Sequence, residues 1–296
     1  MNSPRIKKCS RCGVDFKCGP EDGKTGCWCE DLPHVLPFTG EDCACPACAG
    51  AEASRRVSLA ALHAPKEGPP RVKAVREKIV LSWSGGKDSA LAAYHLLASQ
   101  KYEIASLLTT VTEEFDRISM HGVRRELLER QADALGLELR TVLIPKDCAN
   151  DIYEARMREA LEGFRSRGIV KVAFGDIFLE DLRRYRDERL AQVGMTGVYP
   201  LWKRDTDELV RTFIGLGFRA VLACVDTQAV DAALAGREID ESLLRDLPEG
   251  ADPCGENGEY HSFVYAGPIF KAPVACRAAE RVRRTPRFNY CEILPA

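Results

Sequence analysis

From residue 78 onward the sequence alternates between short apolar runs and amphipathic segments of helical period. The apolar runs, which predict strands, are 78–83, 103–110, 138–144, 169–176, 197–202 and 218–226. The segments that predict helices are 88–99, 122–136, 150–165, 179–192 and 206–215. In one of them Leu128, Ala132 and Leu135 recur at the spacing of a helix face. Strands that alternate with helices of this length need crossover connections, which favours an α/β fold with a doubly wound parallel sheet.

Composition excludes several classes of protein. The 42 Lys and Arg residues nearly balance the 44 Asp and Glu residues, so the chain is not a polycation that holds nucleic acid by bulk charge. Its apolar runs are far shorter than the roughly 20 residues that cross a bilayer, and its first residues lack the apolar core of a secretory signal. We therefore expect a cytoplasmic protein without a membrane-spanning segment, for which nucleic acid is an unlikely partner.

Cysteine density divides the chain. Eight of the 13 cysteines lie between Cys9 and Cys48, and the other five are scattered singly. We predict a cysteine-rich module over 1–50, a linker rich in Ala, Pro, Gly and charged residues over 51–76, and a catalytic domain over 77–296. A module of this size builds little core, so bound metal would supply much of its folding energy.

The module contains two C-x2-C pairs, which in a cytoplasmic chain favour zinc over disulfides. The predicted ligands are Cys9, Cys12, Cys18, Cys27, Cys29, Cys43, Cys45 and Cys48. Eight thiolates suffice for two structural Zn²⁺ ions, although one zinc or an iron–sulfur cluster remains an alternative. With Cys27-Trp28-Cys29 at its centre, the module resembles the cysteine-rich CWC family, and it is a candidate docking site for a protein partner.

The segment Ser84-Gly85-Gly86-Lys87-Asp88-Ser89 directly follows the first predicted strand and opens the first predicted helix. A phosphate at this position meets unpaired backbone N–H groups and the positive end of a helix dipole. The glycines allow close approach of the backbone, the serines add hydroxyl donors and the lysine adds charge. The spacing differs from that of a Walker A loop.

This segment resembles the PP-loop of the ATP pyrophosphatases, which cleave ATP between the α and β phosphates. Residues 252–264 and the following Gly267-Pro268-Ile269-Phe270 resemble the C-terminal signature of the diphthine–ammonia ligase family. His121, Gly175-Asp176 and Pro200-Leu201-Trp202 agree with that resemblance, which covers about residues 78–271. It implies an adenine nucleotide alpha hydrolase-like fold and an ATP-dependent ligase. In such a ligase a substrate carboxylate is adenylated, pyrophosphate leaves, and ammonia then displaces AMP to form an amide.

The resemblance also implies a set of site residues. The expected catalytic residues are Lys87, Asp88, Glu256, Glu259 and His261. The expected ATP-binding residues are Ser84, Gly85, Gly86, Lys87, Asp88, Ser89, His121, Gly175 and Asp176. Mg²⁺ is expected on Asp88 or Asp176. Plainer interpretations stay open: a solvated acidic turn for the two glutamates, a packed strand residue for His261 and a structural role for His121.

The sequence departs from the family pattern where substrate selection is expected. Asn257 replaces a glycine, and His261-Ser262 stand where Glu-Thr is typical. The acceptor is therefore either diphthine-like or, in a bacterial source, the carboxylate of another small metabolite. Two rival functions remain: a tRNA-thiolating PP-loop enzyme, which usually needs paired cysteines near the nucleotide, and a non-catalytic nucleotide-binding regulator. The basic segment 271–287 is predicted to be part of a terminal β element.

Overall fold

The computed structural model describes residues 5–9, 13–18, 76–119, 122–283 and 285–296. Its contacts divide the chain into two compact units, one comprising 1–72 with 215–217 and the other 73–214 with 218–296. No helix in the described ranges is long and apolar enough to cross a membrane.

Within residues 1–72, the described part of the first unit is an antiparallel hairpin of β1 (Arg5–Lys8) and β2 (Asp15–Cys18). Between the strands, the N–H of Gly13 donates to the carbonyl of Cys9 (3.0 Å), and Gly13 has a left-handed φ of 74°. Cys9 is buried. Most predicted zinc ligands, namely Cys12, Cys27, Cys29, Cys43, Cys45 and Cys48, lie outside the described residues, as does nearly all of the predicted linker. Within the described ranges no group of three metal-binding side chains is found.

The second unit begins with the predicted alternation of strands and helices. Its first strands are β3 (Glu77–Ser82), β4 (Tyr102–Thr112), β5 (Arg117–Ile118), β6 (Leu139–Ile144), β7 (Lys171–Ala173) and β8 (Thr196–Val198). Its first helices are α1 (Lys87–Ala98), α2 (Arg125–Leu135), α3 (Asn150–Ser166) and α4 (Glu180–Gln192). The α/β class is thus confirmed, and the helical stripe predicted in α2 places Leu128 and Ala132 in the core.

Five of these strands form a parallel sheet in the order β6-β4-β3-β7-β8, with β5 antiparallel to the end of β4. The chain moves from β3 toward one edge through β4 and β6, then returns to β7 and proceeds to the other edge. Right-handed crossovers place α1 and α2 on one face and α3 and α4 on the other. The order reverses between β3 and β7, and the carboxyl ends of strands at such a point are where open α/β sheets bind ligands.

The remainder of the second unit, from residue 206 onward, does not continue the predicted parallel sheet. It contains α5 (Thr206–Gly215), β9 (Arg219–Asp226), α6 (Glu241–Asp246), β10 (Tyr260–Ala266), β11 (Cys276–Arg283) and β12 (Phe288–Pro295). The four strands form a separate antiparallel sheet in the order β10-β9-β12-β11.

The assignment of 218–226 to the parallel doubly wound sheet is therefore wrong, although the strand itself is present. All of β9 after its first residue is buried, so its sequence has the continuous apolar character of a parallel strand. Antiparallel pairing arises because β10 and β12, which lie later in the chain, supply its neighbours. The prediction of a terminal β element is confirmed by β11 and β12.

Candidate active site

Hydrogen bonds within the loop between β3 and α1 fix its conformation. Gly85 has a left-handed φ of 74°, which favours glycine. The N–H of Gly86 donates to Ser84 Oγ (3.3 Å), and Ser89 Oγ donates to the carbonyl of Gly86 (2.9 Å). Gly86 is the N-cap of α1 and brings no capping side chain. The N-terminal end of α1 is therefore not covered by a capping side chain from Gly86.

Strand β10, which carries the C-terminal signature, lies against this loop. Ser262 Oγ accepts a hydrogen bond from the N–H of Lys87 (3.0 Å), and the N–H of Val264 donates to the carbonyl of Gly85 (2.9 Å). A Cβ atom on Gly86 would lie 3.1 Å from the carbonyl oxygen of Ser262, so the approach is close. The two sequence motifs thus form one site. Where the family has threonine, Ser262 retains the hydroxyl.

Gln131, which the sequence analysis did not single out, supports the loop from below. It is fully buried on α2. Its Oε1 accepts from Trp83 Nε1 (2.9 Å), and its Nε2 donates to the carbonyls of Gly85 (3.0 Å) and Val264 (2.6 Å). The signal available in the sequence was a polar side chain next to the apolar stripe of α2, where burial requires hydrogen-bond partners.

Lys87 is buried, with 3% of its surface exposed, and its Nζ lies 2.7 and 2.8 Å from the two carboxylate oxygens of Asp88. The ring of Tyr260 lies 5.5 Å from the same Nζ. Burial alone would favour the neutral amine, but the charge and hydrogen bond of Asp88, together with the effects of Cys254 and Tyr260, outweigh burial and raise the pKa of Lys87. The lysine is therefore a permanent cation at the end of the loop.

Two further carboxylates come from the segment after β7 and from the C-terminal signature. Asp176 pairs with Arg186, whose Nε lies 2.8 Å from Asp176 Oδ2. Glu256 Oε1 accepts a hydrogen bond from the N–H of Ile177 (2.7 Å). Burial raises the pKa of Glu256 to about 7, against the opposing effect of that N–H. Gly175 allows β7 to approach the start of α1, because a Cβ atom there would lie 2.8 Å from the carbonyl carbon of Asp88.

These groups line one cavity of about 320 Å³. Of the residues predicted from sequence, its lining includes Ser84, Gly86, Lys87, Asp88, Ser89, Gly175, Asp176, Glu256 and His261. Burial and the nearby Lys87 cation lower the pKa of His261 to about 4, so its imidazole is neutral at pH 7. The structure thus brings the phosphate loop, two aspartates and the C-terminal signature to one place.

Two predicted residues, Gly85 and Glu259, do not line the cavity, and a third lies outside the described residues. Gly85 shapes the loop but faces Gln131 rather than the cavity. Glu259 is buried beside the cavity without lining it, and its Oε1 accepts from the N–H of Asp252 (2.9 Å) and from Asn257 Nδ2 (3.2 Å). His121 lies outside the described residues. The roles assigned to these residues stay predictions.

A second cavity of about 220 Å³ adjoins the first. It lies between the carboxyl ends of β3 and β4 and the helices α3 and α4, and Leu108, Met157 and Phe174 contribute apolar walls. The two cavities share four lining residues: Ser82, Ser84, Phe174 and Arg186. We call the first the polar chamber and the second, in which charged Glu154, Arg158 and Arg189 accompany the apolar walls, the apolar chamber. Two adjoining chambers of this kind suit a ligand with a charged end and a flat apolar end.

Comparison with known proteins gives relatives of two kinds. The zebrafish (Danio rerio) protein named diphthine–ammonia ligase is 28% identical over 228 residues, covering 67% of this chain and 86% of the relative. The tRNA-specific 2-thiouridylase MnmA of Yersinia enterocolitica is 33% identical over 90 residues, which is 30% of this chain and 24% of the relative. Among solved structures, the U34-tRNA thiolase NcsA from Methanococcus maripaludis with its [4Fe-4S] cluster is 16% identical, with a TM-score of 0.33 over 71% of this chain and 72% of that one.

Family models distinguish the ligase relatives from the thiolation relatives, because the matching models cover most of the chain. The model of the diphthamide synthase N-terminal domain matches residues 77–197, and that of the diphthamide synthase C-terminal domain matches residues 205–293. The first matched range contains the phosphate loop and the second contains the C-terminal signature. The chain therefore belongs to the diphthamide synthase family, an enzyme family in which curated relatives carry the name diphthine–ammonia ligase.

Proposed function

We propose that this chain is an ATP-dependent ligase that adenylates a substrate carboxylate, releases pyrophosphate and then forms an amide with ammonia. The observation that carries the proposal is the contact between the phosphate loop and the C-terminal signature, made by Lys87 and Ser262 at the switch point of the parallel sheet. A site in which Lys87 and Arg186 lie beside three carboxylates is suited to a nucleotide triphosphate that is bound together with a divalent cation.

The two cavities suggest how ATP lies. The β and γ phosphates occupy the polar chamber, where the start of α1 and the Lys87 cation attract anions. The adenosine occupies the apolar chamber beside Met157 and Phe174. The α phosphate then lies where the chambers meet.

The carboxylates of the polar chamber fit a magnesium ion. Asp88, Asp176 and Glu256 all line it, and their negative charge opposes a triphosphate unless a cation lies between them. Asp88 and Asp176 would hold Mg²⁺ together with phosphate oxygens and water, which is the usual arrangement for this ion. The absence of a group of three metal-binding side chains among the described residues is compatible with that arrangement. When bound, the ion neutralises negative charge on the leaving pyrophosphate.

The chain's own residues then divide the work. The Lys87 ammonium and the positive end of the α1 dipole stabilise the leaving pyrophosphate. Glu256, with a pKa of about 7, accepts a proton from the attacking ammonia at neutral pH. His261 offers a neutral imidazole that accepts or donates one hydrogen bond, and Glu259 holds the signature loop in shape. The acceptor is assigned only to the class of carboxylates, because Asn257 and His261 depart from the family pattern.

A thiolation reaction fits the described residues less well. The cysteines of the second unit form no disulfide bond, and Cys254 lies near the loop, since Lys87 and Asp88 both influence its pKa. Burial raises the pKa of Cys254 to about 12, and its thiol donates to the carbonyl of Thr206 (3.2 Å). A buried thiol of this kind is a poor nucleophile at neutral pH.

We also propose that the cysteine-rich module binds structural zinc, as two ions. Two backbone hydrogen bonds join Cys9 to Gly13 and to Val14, and the close approach of these residues supports a site formed by the first C-x2-C pair. Metal analysis of the purified chain, before and after removal of residues 1–50, tests this. We expect about two zinc atoms per chain, lost on truncation, with cleavage of ATP retained.

Nucleotide product analysis tests the ligase proposal. Wild type and Lys87→Ala are incubated with ATP, Mg²⁺, ammonium and a metabolite extract of the source cell. We expect AMP and pyrophosphate from wild type, in amounts that rise with the extract, and none from the folded variant. Production of ADP, or full activity in Lys87→Ala, would overturn the assignment.

A further inference from the structure

Arg186 is the only charged side chain, among the residues described, that lines both chambers of the site. The other three shared residues are Ser82, Ser84 and Phe174. In the proposed placement of ATP the α phosphorus lies at this junction, because it joins the nucleoside to the two phosphates that leave. A guanidinium is therefore present where the reacting phosphorus is expected.

The guanidinium of Arg186 is held in a fixed orientation. It contacts Asp176 through two nitrogens, with Nε 2.8 Å from Oδ2 and a terminal nitrogen 3.3 Å from Oδ1. It also stacks on the ring of Phe174, at 4.4 Å from the centroid. Phe174 in turn stacks on Tyr199 at 5.5 Å. A planar cation held by a carboxylate and an aromatic ring is preorganised, so little entropy is lost when it binds an anion.

We propose that Arg186 is a catalytic residue that stabilises the α phosphate during adenylation; this rests on the proposed function. In that step a carboxylate oxygen of the acceptor forms a bond to the α phosphorus. The bond from that phosphorus to the bridging oxygen breaks, and its electron pair leaves with pyrophosphate. Negative charge on the non-bridging α oxygens is highest in the transition state, and N–H donors aimed at them lower the barrier.

A purely structural role makes a different prediction. If Arg186 only orients Asp176, its replacement would change folding stability or nucleotide affinity, and free guanidinium would not restore the reaction. A group that acts on the transition state instead lowers kcat while affinity for the ground-state nucleotide changes little.

The matched control is Arg183, three residues earlier on α4. Its guanidinium lies 4.5 Å from the ring centroids of both Tyr199 and Trp202 and 3.6 Å from Asp187, yet it lines neither chamber. Arg183→Met therefore removes an arginine with comparable aromatic and ionic contacts without changing the junction.

The experiment measures AMP release by wild type, Arg186→Met, Arg186→Lys and Arg183→Met with ATP, Mg²⁺, ammonium and the metabolite extract. Dissociation constants for α,β-methylene ATP and melting temperatures are measured on the same samples. For Arg186→Met we expect kcat to fall by about 100- to 1000-fold, with affinity for the analogue changed by only a few-fold. Arg186→Lys should retain part of the activity, added guanidinium should partly restore Arg186→Met, and Arg183→Met should stay within about twofold of wild type.

Two results would overturn the assignment of Arg186 alone. One is a kcat of Arg186→Met within about threefold of wild type; the other is a loss that the weakened affinity for the analogue explains fully and that guanidinium does not reverse. If wild type releases ADP, or no AMP, the proposed function fails and the assignment fails with it. The nucleotide products of wild type thus distinguish failure of the proposed function from failure of the role proposed for Arg186.

Discussion

The backbone N–H of Lys87 donates a hydrogen bond to the hydroxyl of Ser262 at 3.0 Å, and 175 residues separate them along the chain. This bond joins the first turn of α1 to strand β10. It means that the antiparallel sheet, which is separate from the parallel sheet, helps to define the shape of the loop between β3 and α1. Substitutions in β10 should therefore change the affinity for ATP, even where the substituted side chain does not contact the nucleotide.

Ser262→Ala should weaken nucleotide binding. It leaves the buried N–H of Lys87 without its partner, at a cost of about 1–3 kcal/mol in folding free energy. Calorimetric titration with α,β-methylene ATP should show a several-fold rise in Kd. Ser262→Thr is the control, because it keeps the hydroxyl; an equal loss in both variants would show that the hydrogen bond is not the cause.

Gln131→Leu should destabilise the fold and distort the loop together. It removes the three hydrogen bonds that Gln131 makes to Trp83, Gly85 and Val264, and the expected loss is about 3 kcal/mol or more. Chemical denaturation gives the free energy of unfolding, and nucleotide titration gives the effect on the site.

Ser106→Ala is the matched control for Gln131→Leu. Ser106 is also fully buried and its hydroxyl donates to backbone carbonyls, at Leu107 and Glu138, but it lines neither chamber. It should lose stability with unchanged nucleotide affinity. If Gln131→Leu behaves in the same way, its support of the loop has no bearing on ATP binding.

Gly175→Ala should push β7 away from α1. The new Cβ would lie 2.8 Å from the carbonyl carbon of Asp88 and 3.0 Å from the nitrogen of Ser89, both of which are backbone atoms that yield little. We expect a loss of about 1–3 kcal/mol, as for other overpacked positions. A melting curve for the purified variant gives the measurement.

Gly163→Ala provides the comparison. Gly163 lies within α3, and a Cβ there would meet nothing within 4 Å. The substitution should stabilise the chain by about 0.5–1 kcal/mol through helix propensity. Opposite signs for the two glycines would tie the loss at Gly175 to crowding, whereas similar melting temperatures would contradict it.

Glu256→Gln should stabilise the protein in a pH-dependent manner. The folded pKa of Glu256 is about 7 and its ordinary value is 4.5, so between these values the folded state binds the proton more tightly than the unfolded state. Stability contributed by this carboxyl is complete below about pH 4.5 and falls as pH rises toward 7. The variant should therefore melt higher than wild type near pH 8 and at the same temperature as wild type near pH 4.5.

Glu159→Gln, on the exposed side of α3, serves as the control in the same melts and should differ little from wild type at either pH. If Glu256→Gln raises the melting temperature equally at both pH values, the raised pKa of Glu256 is not the cause of the stabilisation. AMP release measured alongside should fall for Glu256→Gln, because the amide cannot accept the proton from ammonia.

Local features of the sequence were sufficient for the α/β class, the phosphate loop and most element bounds. Apolar periodicity depends on neighbours within a few residues, and so does the backbone chemistry of Gly85 and Gly86 at the start of a helix. The resemblance of residues 252–264 to a family signature likewise needed no coordinates. That most of the predicted residues line one chamber follows from these local features and from the strand order.

Only the tertiary structure decided which partners these elements found. β9 has the sequence of a parallel strand yet pairs antiparallel, because β10 and β12 reach it from later in the chain. Gln131 supports the loop and Glu259 faces away from the chamber because packing, rather than residue type, decides which way a buried polar group points. Arg186 reaches the junction of the two chambers because the fold brings α4 against Phe174 and Asp176, which follow β7. Hydrogen-bond partners more than a hundred residues apart are chosen by the packed core, and no periodicity along the chain encodes them.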